Sequence, residues 1–335
     1  MSILLQLLLL VLGLAVLLKG ADYLVGGAVG IARIFAVPTV LIGLTVVSFG
    51  TSTPELLTAF TSLAKDAPEL FLGDNIGSNI TNISLVLGVA ALIHPLKLKS
   101  HTVWKEIPFA LLGVAATLIF ALRNFVTTRD FASIRAVLGD ETRIIGRIDQ
   151  ADGLVLLLFF GVFLYYTFSL ARKEPLEAIE TVETPAMPLS NAVVLLLIGI
   201  AGLGLGSNLL VSNALSLAAS LGVNEGVIGL TIIAFGTSAP ELAATVAAAR
   251  KQETDLLVGN IIGSNIFNTF FVLGLTASVQ ALDVNGRVLL DLLVMLIITL
   301  FLFGASHLFG FRRITKLEGG ILLLGYFGYL GYLFL

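Results

Sequence analysis

Residues 50–56 read G-T-S-T-P-E-L, and residues 236–242 read G-T-S-A-P-E-L, 186 positions further on. At the same offset, without a gap, G-D-N-I-G-S-N-I-T-N at 73–82 falls on G-N-I-I-G-S-N-I-F-N at 259–268. Over 42–90 against 228–276, 23 of 49 residues are identical. A repeat on this scale constrains the architecture before any local assignment, because each copy is one structural unit. The repeated residues are polar, yet they stand inside strongly apolar stretches. A carboxylate carried into hydrocarbon is costly and ordinarily marks a substrate or ion pathway. Glu55 and Glu241 both occupy such places, so the pattern points to movement of an ion across a membrane.

Composition agrees. The 335 residues are 57% hydrophobic and 12% charged, with a mean hydropathy of +1.02, whereas a soluble domain is roughly 25% charged. A net charge of −3 makes no case for nucleic acid or an acidic partner. Without cysteine there is no disulfide framework, zinc–thiolate centre or thiol nucleophile. The N-terminal M-S-I-L-L-Q-L-L-L-L lacks the basic region and small-residue cleavage site of a secretory signal, and reads as the start of a retained helix.

A helical span takes about 20 mostly apolar residues. Ten such stretches occur, at 3–28, 38–63, 70–93, 104–122, 152–171, 190–219, 224–249, 255–281, 287–307 and 317–335. The expected fold is an all-α membrane protein of ten transmembrane helices, arranged as two five-helix repeats (1–171 and 190–335). A charged hinge, R-K-E-P-L-E-A-I-E-T-V-E-T-P-A-M-P-L at 172–189, joins them. An odd number of spans per repeat inverts the second relative to the first, a signature of secondary transporters. Eleven Lys and Arg fall in one set of alternate loops and seven in the other. That bias predicts a cell (inner) membrane protein with the hinge in the cytoplasm and both termini outside. The 123–151 loop, with five arginines and four acids, reads as a solvated hairpin or short helix. Asp66, Glu69, Glu253 and Asp255 read as solvated loop residues, Glu106 and Asp291 as interfacial, and Asp74 as peripheral.

The chemistry lies in the two motifs. Pro54 has no N–H, so the carbonyl of Gly50 loses its helical partner, and in a bilayer such a carbonyl must be satisfied by a neighbour, water or an ion. Ser52 and Glu55, three apart, share a face beside it. Pro240, Ser238 and Glu241 repeat the arrangement around Gly236. In the second motif Ser78 and Asn82 lie four apart on one face, as do Ser264 and Asn268, while Gly73, Gly77, Gly259 and Gly263 allow close backbone approach. A lone proline motif could be only a kink, and a lone G-x-x-x-G-S only helix packing; their joint recurrence in both halves favours a site. Two carboxylates with hydroxyls, amides and carbonyls suit a hard cation such as calcium, and sodium accepts the same donors. With no Cys and with His94, His101 and His307 at span ends, a soft metal is disfavoured.

G-T-S-x-P-E followed by G-x-x-x-G-S-N-x-x-N, in both halves of a ten-span chain, resembles the alpha-repeats of the sodium/calcium exchanger family, in its compact prokaryotic form. The resemblance covers essentially the whole chain. It implies that the second, third, seventh and eighth helices form an ion-binding core past which the first and sixth slide. It also implies ligands at Thr51, Ser52, Glu55, Ser78, Asn82, Thr237, Ser238, Glu241, Ser264 and Asn268, with backbone carbonyls of Ser48, Thr51, Ala234 and Thr237. Some prokaryotic members carry an Asp where this chain has Asn268. The expected activity is exchange of Ca²⁺ for Na⁺ by alternating access, with the ions and the bilayer as partners, no cofactor and no evident protein partner. A Ca²⁺/H⁺ or K⁺-dependent antiporter is the nearest alternative. A cation channel is further off, and a hydrolase lacks a mid-span base.

Overall fold

Hydrocarbon offers a backbone no hydrogen-bond partner, so apolar stretches of this length fold as helices that satisfy their own N–H and C=O groups. The computed structural model describes residues 3–64, 68–128, 144–173, 187–220, 236, 238–308 and 312–333. Helix α1 is Ile3–Ile34, α2 is Thr39–Thr51 and α3 is Thr53–Ala64. α4 runs Pro68–Thr81, through a π-turn at Asn82–Val86, to Leu87–Ile93. α5 comprises a π-turn at Thr102–Glu106 and Ile107–Thr128; α6 is Gln150–Lys173 and α7 Leu189–Ser220. α8 is Ala239–Arg250. α9 runs Thr254–Ile266, through a π-turn at Phe267–Val272, to Leu273–Val279. α10 is Gly286–Leu308 and α11 is Lys316–Leu333.

Seven of these helices are long and apolar enough to cross a membrane; the pair α2–α3, bent by 43°, makes an eighth when taken as one span. The two other expected spans correspond to α8, described over 12 residues, and α11, described over 18. Most of the hinge, at 174–186, and the centre of the 123–151 loop, at 129–143, lie outside the described residues. At the ends of that loop, read as a solvated hairpin or short helix, α5 continues to Thr128 and a strand begins at Ile144.

Glycines set the helix contacts. A Cβ on Gly20 of α1 would fall 2.7 Å from the backbone nitrogen of Leu203 in α7; Gly13 meets Leu210 and Gly27 meets Leu196 in the same way. The partner number falls as the α1 number rises, so the two helices are antiparallel along their whole contact. Gly43 of α2 and Gly259 of α9 face each other just as closely, a Cβ on either lying 2.5 Å from a carbonyl of the other helix. Gly88 of α4 packs on Gly319 of α11, and Gly274 of α9, 186 residues after Gly88, packs on Gly153 of α6. Gly73 and Gly77 meet nothing within 4 Å among the described residues.

Two short antiparallel ribbons tie loops together. β1 (Leu96–Lys97) pairs with β4 (Arg313–Ile314), and β2 (Ile144–Ile148) pairs with β3 (Leu282–Asn285). Two residues expected at the interface are buried instead. Glu106 is fully buried, accepting from Tyr166 Oη at 3.3 Å and standing 2.8 Å from His101 Nδ1. Asp291, 6% exposed, accepts from Tyr329 Oη at 2.8 Å. In each case a tyrosine on a neighbouring helix supplies the donor that makes burial of a carboxylate tolerable.

Candidate ion-binding centre

The proline motifs fold alike. Ser52, between α2 and α3, has φ −86° and ψ 12°; Ser238, capping α8, has φ −87° and ψ 2°. Each break starts a new helix, and Glu55 and Glu241 fall in its first turn. There the unpaired N–H groups and the helix dipole favour a negative charge. Both glutamates are fully buried. Pro240 frees the carbonyl of Gly236, and Ser207 Oγ on α7 donates to it at 2.8 Å.

Side chains from both motifs and both halves converge on the acids. Ser52 Oγ donates to Glu241 Oε1 at 3.1 Å. Ser78 Oγ donates to Glu55 Oε1 at 2.7 Å, and Ser238 Oγ stands 3.4 Å from Ser78 Oγ. Thr51 Oγ1 donates to Asn260 Oδ1 at 3.2 Å and lies 3.4 Å from Ser264 Oγ. Nine of the ten candidate residues, Thr51, Ser52, Glu55, Ser78, Asn82, Ser238, Glu241, Ser264 and Asn268, are buried in or beside this cluster. Thr237, and Ala234 with its carbonyl, lie outside the described residues.

The second motif is built differently from its plain helical reading. The π-turns of α4 and α9 open at corresponding places, Asn82–Val86 and Phe267–Val272. A π-turn disturbs the hydrogen-bond ladder and is frequent at functional sites. Asn75 Nδ2 donates to the carbonyl of Asn268, and Asn265 Nδ2 to that of Asn79, both at 3.1 Å. Asn79 Nδ2 reaches Thr269 Oγ1 at 3.1 Å. Asn75, Asn79 and Asn265 thus clamp α4 to α9 across the π-turns, a positioning role that face-counting from the sequence missed. For Asn79 and Asn265 the signal was the repeated G-S-N; Asn75, matched by Ile261 in the other copy, had none.

Asn82 and Asn268 are fully buried, and neither amide atom of either finds a protein hydrogen bond among the described residues; the same holds for Glu55 Oε2 and Glu241 Oε2. Buried polar atoms without partners are rare and costly, and oxygens left over by the protein are what a cation requires. A cavity of about 440 Å³ reaches the breaks, lined in part by Gly50, Thr51, Pro54, Ser207, Asn208 and Pro240.

The outlying acids divide. Asp255 pairs with Lys99 at 2.9 Å. Glu253, read as solvated, is half-buried, and desolvation pushes its carboxyl above the usual range. Asp66 and the side chain of Glu69 lie outside the described residues. Asp74, read as peripheral, is half-buried and within electrostatic reach of both Glu55 and Glu241.

Comparison with known proteins bears on what such a centre does. The family model described as sodium/calcium exchanger protein matches residues 5–169 and 191–335. A putative antiporter, CaxA, of Alkalimonas amylolytica is 36% identical over 327 residues, covering 95% of either chain. The sodium/calcium exchanger MaX1 of Methanosarcina acetivorans is 30% identical over 348 residues, covering 98% of either. A solved structure of the sodium–calcium exchanger NCX_Mj, soaked with 10 mM Na⁺ and no Ca²⁺, superposes with a TM-score of 0.79 at 30% identity, over 98% of this chain and 99% of that one. Buried acids at paired helix breaks are in keeping with relatives that carry ions rather than catalyse reactions, and the chain belongs to the sodium/calcium exchanger family.

Proposed function

We propose that this chain exchanges Ca²⁺ for Na⁺ by alternating access, at a site between Glu55 and Glu241. The observation that carries the reading is the pair of fully buried glutamates at matching helix breaks, each hydrogen-bonded by serine yet keeping one oxygen without a donor among the described residues. Thr51, Ser52, Ser78, Asn82, Thr237, Ser238, Ser264 and Asn268 supply the remaining oxygens. Calcium takes six to eight oxygen ligands, and two carboxylates balance its charge. Sodium ions use the same oxygens on the return leg. The empty site resists crossing because two bare carboxylates in a low-dielectric core are costly, which enforces exchange over leak.

Ten spans in two inverted repeats, 1–171 and 190–335 with a cytoplasmic hinge at 172–189 and both termini outside, form the scaffold of this proposal. Its support is threefold: α1 runs antiparallel to α7, the glycine contact Gly88–Gly319 recurs as Gly274–Gly153, and the ribbon β1–β4 recurs as β3–β2. The cavity beside the breaks, mostly apolar but lined also by Thr51, Ser207 and Asn208, is in keeping with an access route. The test is ⁴⁵Ca²⁺ uptake into proteoliposomes under an outward sodium gradient, a pH gradient, or neither. Uptake driven by sodium alone supports the reading; uptake driven only by the pH gradient makes the chain a Ca²⁺/H⁺ antiporter.

A further inference from the structure

The cavity beside the helix breaks has a neighbour on the other side of Ile200. A second, lateral cavity of about 550 Å³ is walled by Phe49 on α2, Phe160 on α6, Leu197 and Ile200 on α7, and Phe267 and Phe271 on α9. Its size is that of a small-molecule site. Its back wall is a packed set of rings: Phe267 lies 4.9 Å from Phe271, 5.2 Å from Phe49 and 5.9 Å from Phe160, centroid to centroid. Of the residues that line it, only Thr45 and Ser48 are polar. Each gives its hydroxyl hydrogen to its own helix, Thr45 to the carbonyl of Leu41 at 2.6 Å and Ser48 to that of Thr45 at 3.1 Å. Little remains to hold ordered water, and apolar cavities of this kind stay dry.

The mouth lies between Phe49 and Leu197, which are 52% and 58% exposed. Phe160 stands well inside α6, which begins at Gln150. At 1.5 Å per residue that depth is about 15 Å, the middle of a hydrocarbon layer about 30 Å thick. The cavity therefore opens sideways into the bilayer rather than toward water. What reaches the mid-plane of a bilayer is the acyl chain of a lipid. Left empty, the cavity forfeits dispersion contacts along its lining; a chain restores them.

Ile200 lines both cavities. A Cβ on Gly50 would fall 2.9 Å from its side chain, so Ile200 rests on the residue whose carbonyl Pro54 frees. Alternating access requires one wall of the ion-side cavity to move, and α7 walls both. Whatever fills the lateral cavity bears on Ile200 from behind and holds it on the helix break.

We propose that the lateral cavity binds one acyl chain of a bilayer lipid, and that this chain is an exchangeable wedge holding α7 against the break at Gly50. The wedge rests on the antiporter reading above; the binding site does not. Recognition is by shape and apolarity, so the ligand is a hydrocarbon tail and its headgroup stays at the membrane surface.

The experiment uses the full chain in phosphatidylcholine proteoliposomes doped with a phosphatidylcholine that carries a diazirine near the end of one acyl chain. After irradiation, adducts are mapped by mass spectrometry. Phe267 is only 4% exposed, so a lipid sliding over the surface misses it and a chain inside the cavity reaches it. Wild type is expected to carry label on Phe267, and on Leu324 of α11, 75% exposed, as the mark of surface lipid. In Leu164→Trp on the cavity wall, and in Leu197→Trp at its mouth, the indole fills the space. Both should lose the Phe267 label and keep that on Leu324. Absence of Phe267 label in the wild type overturns the site, as when a second copy of this chain covers the mouth. So does label that survives in both variants at wild-type yield. For the wedge, an indole cannot leave as a chain can, so calcium–calcium tracer exchange should slow in both variants and run at the wild-type rate in Leu324→Trp. Wild-type exchange in folded variants that have lost the label, with elution profiles unchanged, overturns the wedge. If the wild type moves no calcium on either gradient, the antiporter reading falls and the wedge with it, while the label still decides the site.

Discussion

Ser52 and Glu241 belong to different copies of the same motif, yet Ser52 Oγ donates to Glu241 Oε1 at 3.1 Å. The helix break of one half thus serves the acid of the other, while Glu55 accepts from Ser78 of its own half. On the proposed reading, a change at the break of one repeat should therefore be felt at the acid of the other.

Glu55→Gln and Glu241→Gln are each expected to abolish calcium transport without loss of fold. One unit charge about 4 Å from another is worth about 4 kcal/mol at an effective dielectric near 20, so losing one should weaken calcium binding by more than about 100-fold. Replacing a buried carboxylate by an amide relieves desolvation, so expression and elution profile should hold. Near wild-type ⁴⁵Ca²⁺ uptake in either variant would place the site elsewhere.

Ser52→Ala and Ser238→Ala occupy matching positions and should weaken calcium affinity by comparable factors, each by about tenfold, since hydrogen bonds to charged groups are worth about 1.5–3 kcal/mol. Ser52 acts directly on Glu241, and Ser238 acts on Glu55 through Ser78. A loss confined to one of them, measured by calcium titration of transport, would make the duplication purely architectural.

Asn268 tests the second motif. Asn268→Asp adds charge to the site and should sharpen sodium competition against calcium, because ligand charge tunes affinity in oxygen cages. Asn268→Leu removes an oxygen and should weaken both ions together. Identical sodium inhibition curves in wild type and both variants would show that this side chain faces packing rather than ions.

Gly259→Ala should cripple assembly of the centre. Its Cβ would fall 2.5 Å from the carbonyl of Val40, so α2 and α9 must part, and overpacking of this kind costs about 1–3 kcal/mol. Gly325→Ala, where nothing among the described residues lies within 4 Å, should be neutral. Melting temperatures in detergent that fall equally for the two would refute the tight crossing.

Asp149 caps α6 in a reciprocal box with Asp152: each backbone N–H donates to the other's carboxylate, at 3.0 and 2.9 Å, and Arg123 adds an ion pair to Asp149 at 2.7 Å. The Asp152 N–H and Arg123 hold the Asp149 carboxyl below its usual range. A depressed folded value means stability present above the unfolded pKa and lost as pH falls through the folded one. Asp149→Asn should therefore cost about 1 kcal/mol at neutral pH, and the difference from wild type should vanish well below pH ~4. A deficit unchanged by acid would assign the effect to something other than this charge.

Much of this architecture could be read from residues alone. The matched motifs placed Glu55 and Glu241, the helix breaks followed from Pro54 and Pro240, and the stripes Ser78–Asn82 and Ser264–Asn268 followed from helical spacing. What escaped has a common physical origin: it depends on partners distant in the chain. A π-turn carries no compositional mark, so the clamps by Asn79 and Asn265 were missed despite the repeated G-S-N, and that by Asn75 had no counterpart in the repeat. That Pro240 frees the Gly236 carbonyl was plain, but its donor, Ser207, stands on another helix. Glu106 and Asp291 read as interfacial because Tyr166 and Tyr329 lie 60 and 38 residues away.

The contact between α1 and α7 is a meshed one. Where side chains interlock, a helix has fixed detents along its neighbour, and axial displacement must lift each knob from its hole. Gly13, Gly20 and Gly27 bring backbone onto backbone at seven-residue intervals, and between them the buried Leu17 and Leu24 sit against Gly206 and Gly199 of α7. Pulling these helices apart forfeits dispersion along the whole length, and shear must dislodge both leucines. Such an interface is stiff against separation and against travel alike, the property of a splint.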